Sequence, residues 1–220
     1  MTLAQAKTKI DSIFAQYASI ANPASLIAPS FTAGKMYEAW VLGHMLQRLE
    51  LDEGYVVRLA GGSKVHLKSS PGPINRNYPR FELLTGSQPR LEVWTDVEFA
   101  TLSYQLSGDL GAPGPAHRHE LDVVVVPYGT SGYPTHDEIL VGIECKNTTF
   151  DKSISRAALG VRRELSYLSR PTVTGFSIWP IATVPAEPPS VLMVYSTDPG
   201  VLAYNASGKT FGVIYVHEDM

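Results

Sequence analysis

At 220 residues, with 44% hydrophobic and 18% charged side chains, the chain can bury a full core and has a globular rather than a disordered or fibrous composition. Its 18 Lys+Arg against 21 Asp+Glu give a formal charge of −3, which excludes attraction of polyanions by the surface as a whole; a nucleic-acid ligand would need local positive potential. The single cysteine, Cys145, excludes an internal disulfide and a zinc-finger cluster, and no signal-like segment or run of about 18 apolar residues occurs, so a cytoplasmic protein without a membrane span is expected.

Leu3, Ile10, Ile13, Phe14, Tyr17 and Ile20 recur at helical spacing and predict an amphipathic helix ending before Asn22-Pro23. With its linker it forms an accessory element over residues 1–30, and residues 31–220 read as one domain. A second helix is expected from Thr32, a capping residue, to Leu49, with Leu42, Met45, Leu46 and Leu49 as its apolar stripe. Glu38 lies four, seven and eleven residues before Leu42, Met45 and Leu49, so it continues that stripe and is expected to be buried.

Residues 55–90 break into Gly, Pro, Ser and Asn clusters with short strand-like pieces between them, the pattern of an elaborated surface insertion. Gly61-Gly62-Ser63-Lys64 lacks phosphate-loop spacing and reads as a turn. Arg58, Lys64, Lys68, Arg76, Arg80 and Arg90 fall in this stretch, with Glu82 as the only acid after Glu53, so a basic patch that tracks a phosphate backbone is expected there.

Leu91 to Leu102 reads as a strand. His117 and His119 follow a Gly/Pro-rich loop and read as solvated or phosphate-contacting residues. Leu121 to Pro127 and Glu138 to Lys146 are apolar runs of strand length that predict paired central strands. A helix is expected from Ser153 to Ser169, before Pro171, carrying Arg156, Arg162 and Arg163 as a second basic set. Strands at Val191 to Thr197 and Thr210 to Val216 complete an α/β fold with a mixed central β-sheet flanked by α-helices.

Side chains alternate across a strand, so Glu144 and Lys146 share a face while Cys145 points away, which makes its thiol a buried and inert one. A symmetric hairpin through the two central runs has its midpoint at Tyr133 and sets Asp122 opposite Glu144. Two carboxylates at the ends of apolar strands repel one another and are costly to desolvate without positive charge between them. A hard divalent cation, Mg²⁺ or Mn²⁺, held by Asp122, Glu144 and the Cys145 carbonyl meets that need, with Lys146 free to orient water or neutralise a phosphate oxygen.

The sequence His119-Glu120-Leu121-Asp122 leading into four valines, then Glu144-Cys145-Lys146 and a following helix, resembles the PD-(D/E)XK, or restriction-endonuclease-like, nuclease superfamily. Gly34-Lys35-Met36-Tyr37-Glu38 on the preceding helix adds to the likeness, while Leu121 stands where the motif's name has Pro. The resemblance implies a restriction-endonuclease-like core, Asp122 and Glu144 as metal ligands, Lys146 as the catalytic lysine and Glu38 as an auxiliary ligand or water holder. It also implies a metal-dependent endonuclease acting on double-stranded DNA, as a homodimer or a subunit of a larger complex, in restriction or phage defence. The rival readings are a non-catalytic nucleic-acid-binding or scaffold subunit that kept the fold, and a nuclease for RNA or branched DNA.

Overall fold

The computed structural model describes residues 2–18, 26, 31–68, 70–109 and 111–220. Helix α1 spans Leu3–Ala15, opened by a capping box in which Thr2 and Gln5 satisfy each other's backbone N–H groups. It is shorter than the sequence pattern implies, and Ile20 with most of the expected linker falls outside the described residues. Ala6, Ile10, Ile13 and Phe14 enter the same core as the second helix, so α1 is continuous with the main body.

Helix α2 (Ala33–Leu51) starts where expected, because the Thr32 side chain accepts from the Lys35 N–H. It buries residues around most of its circumference, lying between α1 and the sheet.

Residues 55–90 depart from expectation. They contain β1 (Val56–Ala60) and β2 (Arg80–Thr85), which pair antiparallel with each other, and β2 pairs with β3 (Gln88–Ala100). Val57, Leu59, Phe81 and Leu83 are buried against α1 and α2, so the stretch forms one edge of the main sheet rather than a surface insertion. Two short alternating strands separated by a long Gly/Pro loop leave too few turns of pattern to read locally.

A short helix α3 (Leu102–Ser107) precedes β4 (Arg118–Pro127), and β5 spans Val141–Lys146. Helix α4 (Lys152–Leu165), capped by Asp151, leads into β6 (Tyr167–Val173) and β7 (Thr183–Glu187), an antiparallel pair in a separate two-stranded sheet. Strand β8 (Val191–Ser196), α5 (Asn205–Thr210) and β9 (Val213–His217) end the chain. The main sheet has the order β1-β2-β3-β4-β5-β8-β9; β1 to β5 are antiparallel neighbours, and β8 and β9 add parallel. This is a mixed α/β protein with a seven-stranded mixed sheet covered by helices.

Helix α4 ends four residues earlier than expected, and Leu168 is an exposed strand residue instead of part of its apolar face. Pro171 pushes the chain before it toward extended backbone, and Ser166 already adopts that conformation. No helix among the described residues is long and apolar enough to cross a membrane.

The two faces of the sheet bury different sets. Val123, Val125, Val141 and Ile143 pack with α1 and α2, whereas Val124, Val126, Leu192 and Val194 pack with α4. On the α4 side β3 contributes Trp94, then Val97 and Phe99, and β4 contributes Val126 and Val124, then Leu121. The two-residue alternation therefore slips by one at Asp96 and again at Asp122. Leu121 then lies over β5 so closely that a Cβ on Gly142 would stand 2.7 Å from its Cδ1, which is why β5 carries glycine there.

Candidate metal centre

Both slips in alternation place an acid. The β3–β4 ladder pairs Thr95 with Val123 and Val97 with Leu121, and skips the Asp96–Asp122 step between them. Asp96 sits at φ 51°, in the left-handed region that costs a non-glycine residue about 1–3 kcal/mol and persists only where its surroundings enforce it. Here they do, since the Asp96 carbonyl accepts from Gly72 N and from Lys68 Nζ. The strain turns the Asp96 side chain out of the regular pleat.

The β4–β5 ladder has the register of a hairpin centred on Tyr133, with Val123 opposite Ile143, and its pairing stops there. Beyond that point β5 follows β8, and the two strands part where Asp122 and Glu144 would face each other. In the gap the Asp122 carboxylate accepts from Cys145 N at 2.6 Å, replacing a strand-to-strand bond with a side chain that is now fixed.

Ligand-capable oxygens of Glu38, Asp96 and Asp122 come within 4.8 Å of one another. Asp96 is almost wholly buried, at 1% exposure, and its Oδ2 is a buried oxygen without a hydrogen-bond partner among the described residues. Its other oxygen and Glu38 Oε2 both accept from Lys35 Nζ, the latter at 2.7 Å. An orphaned buried carboxylate oxygen carries a desolvation penalty that a cation relieves, and an all-oxygen donor set suits Mg²⁺ or Mn²⁺. The residues present fit such an ion.

This set differs from the one expected. Glu38, partly buried on the α2 stripe, belongs to the cluster, and so does Asp122. Asp96 replaces Glu144 as the third acid, and Glu144 pairs instead with Lys146 Nζ at 2.6 Å. Glu144 and Lys146 line a cleft of about 510 Å³ against α4, together with Thr148, Ser153, Ile154 and Val161. The same logic that singles out Asp122, an acid inside an apolar run, applies to Asp96 between Thr95 and Val97 and was the signal available for it.

The electrostatics still couple the two groups. Burial pushes the Glu38 carboxyl up to about 7 against the pull of Lys35, and burial followed by the charge of Asp122 raises Glu144. Burial also raises Asp122, opposed by the Cys145 N–H and Lys146. Burial disfavours the Lys146 ammonium, yet Glu144 beside it lifts its pKa on balance. Burial drives the Cys145 thiol well up, and its backbone N–H donates to Asp122.

Acids whose folded pKa lies above the unfolded value stabilise the fold below the unfolded pKa and lose that contribution as pH rises through the folded one. Without divalent ions the melting temperature is therefore expected to decline by several degrees between about pH 4.5 and 7, the window set by Glu38. Thermal scans with EDTA across that range check this, and a rising or flat profile would contradict it.

The expected basic surface is partly neutralised. Arg58 pairs with Glu82 at 2.5 Å, Arg76 grips Glu92 with two bonds of 2.8 and 2.7 Å, and Arg80 bonds both acids. Glu92 lies just past the basic stretch in sequence and reaches back to it across the β2–β3 pair. Arg162 is buried and bonds Ser166 and the backbone and hydroxyl of Ser190, so it cannot meet a phosphate without leaving the core. Lys64, Arg90, Arg156 and Arg163 remain exposed, and Lys68 points at the backbone beside Asp96. A second cleft of about 430 Å³, with Leu102, Leu106, Arg163, Tyr167 and Phe211 in its walls, contains none of the three clustered acids.

Fold and site together define a mixed α/β protein with three converging carboxylates and a neighbouring Glu–Lys pair. No family model and no curated protein matches the chain. Among solved structures, protein VC1899 from Vibrio cholerae is similar at a TM-score of 0.36 and 13% identity, over 98% of this chain. The chain spans 38% of that protein's length, and a likeness this low carries no argument about either fold or function.

Proposed function

We propose that the chain is a divalent-metal-dependent nuclease with a restriction-endonuclease-like core that hydrolyses phosphodiester bonds of DNA. The observation that carries this reading is the convergence of Glu38, Asp96 and Asp122, with one Asp96 oxygen buried and unpartnered, beside Glu144 and Lys146. Supporting it, the D…ExK residues stand on adjacent strands β4 and β5, with Glu38 on the helix across the sheet from α4.

Glu38, Asp96 and Asp122 would hold Mg²⁺ or Mn²⁺. A bound ion of this kind polarises a phosphoryl oxygen and lowers the pKa of a coordinated water. Asp122 is held for that task by the Cys145 N–H, and Asp96 by the bonds to its carbonyl. Lys146, charged and restrained by Glu144, supplies a fixed donor for a non-bridging phosphate oxygen as negative charge builds on it. The 510 Å³ cleft beside Lys146 gives the phosphodiester a place to lie. Cleavage of both strands of a duplex needs two such centres, and so a homodimer or partner subunit; restriction or phage defence is the proposed setting.

Plasmid nicking with Mg²⁺, Mn²⁺ or EDTA tests the reading. Cleavage is expected with either ion and none with EDTA, and Lys146→Ala is expected to lower the rate at least about a hundredfold, as loss of one transition-state donor does. Metal-independent binding of DNA without cleavage would favour a non-catalytic subunit, and cleavage confined to RNA or branched DNA would change the substrate.

A further inference from the structure

Lys35 is placed among the acids rather than beside them. It is the third residue of α2, and its backbone N–H bonds the Thr32 cap. Its Nζ donates to Glu38 one turn on and to Asp96 across the core. It leaves Asp96 Oδ2 unused and makes no bond to Asp122, whose carboxylate is turned to Cys145. Lys35 therefore partly satisfies two of the three acids, with its ammonium bridging Glu38 and Asp96.

We infer that Lys35 is the resident counter-ion of this cluster and competes directly with the divalent cation for Glu38 and Asp96, so that it sets the cation concentration at which the site fills. The inference rests on reading Glu38, Asp96 and Asp122 as a metal centre. A hard cation sits roughly 2.0–2.6 Å from carboxylate oxygens. An ion on the oxygens that Lys35 now bonds would stand against the ammonium with like charge, in a partly buried site that screens it weakly. The long stem gives Lys35 a way out: its side chain retains 23% exposure, so the ammonium can move to water while its backbone stays in the helix. Lys146 makes no bond within the three-acid cluster: its Nζ bonds Glu144, outside it, although its charge acts on Asp122.

Titration of Mn²⁺ or Mg²⁺ into the full chain, read by calorimetry and by the shift in melting temperature, tests this without any cleavage assay. Lys35→Met removes the charge and keeps the stem, whereas Lys35→Gln also keeps a donor and provides a folded protein should the first variant be too unstable. Each is expected to bind the cation at least tenfold more tightly than the parent, about 1.4 kcal/mol. Lys35→Arg, which keeps the charge, is expected to stay weak. Equal or weaker binding by both neutral variants overturns the inference and leaves the metal centre standing, with Lys35 as an organiser of the acids. Binding by the neutral variants alone supports it and makes Lys35 a permanent substitute for the ion in the parent. An absence of binding by every form overturns both the metal centre and the inference.

Discussion

Asp96→Asn is expected to abolish both the metal-induced gain in stability and the nuclease activity while leaving the metal-free protein about as stable as the parent. The parent should gain RT ln(1+[M]/Kd) from the ion, about 2.7 kcal/mol at a hundred times Kd. For a domain of this size each kcal/mol is worth roughly 2–4 °C, so the melting temperature should rise by about 5–10 °C. Asparagine tolerates the left-handed backbone at this position as aspartate does, so the substitution tests charge and ligation rather than strain. It also removes one of three mutually repelling acids, which offsets the loss of a partner for Lys35. Asp122→Asn should behave alike, since its amide oxygen can still accept from Cys145 N. Lys146→Ala should keep the thermal gain and lose only turnover. A variant at Asp96 that retains the full metal shift and full cleavage would remove Asp96 from the site.

Glu92→Ala is expected to destabilise the protein by about 3–5 kcal/mol, the range for breaking a buried ion pair, and to lower the melting temperature by roughly 10 °C. Glu92 is fully buried and accepts from Arg76, from Arg80 Nε at 2.9 Å and from Trp94 Nε1 at 3.1 Å. Removing it leaves the Arg80 guanidinium, only 11% exposed, with Glu82 as its remaining acid. The same network decides how the segment meets DNA. Each phosphate contact contributes roughly 0.9 to the log–log slope of affinity against salt. Because Arg80 is already paired with both Glu82 and Glu92, Arg80→Met should leave that slope unchanged while lowering stability. Loss of about one unit of slope in a fully folded Arg80→Met would return this arginine to the DNA-contacting surface.

The local features of the fold were legible in the chain. The cap at Thr32, the stripe of α2, the apolar runs of β4 and β5 and their register about Tyr133 follow from side-chain periodicity and from backbone groups that must be satisfied within a few residues. Glu38 was legible for the same reason, as an acid on an apolar face. The expectation that Asp122 and Glu144 face each other followed from register; the ladder ends one step short of them and the charge of Asp122 still acts on Glu144, because register says which residues are opposite and not where two strands part.

What only the tertiary structure decided lies between elements. Asp96 joins the acids because Gly72 and Lys68, remote in sequence, hold its carbonyl in a strained conformation, and Lys35 joins them because α2 crosses the sheet at that point. Arg162 reads from its neighbours as one more exposed helical cation, yet Ser190, just before β8, draws it into the core. Arg76 and Arg80 read as a basic surface until β2 and β3 pair and bring Glu92 beneath them. Periodicity and capping act over one or two turns of chain, so the sequence by itself determined the elements and their faces. Charge compensation acts through space, so which acids gather into a site and which cations are already neutralised was decided only when the strands took their neighbours.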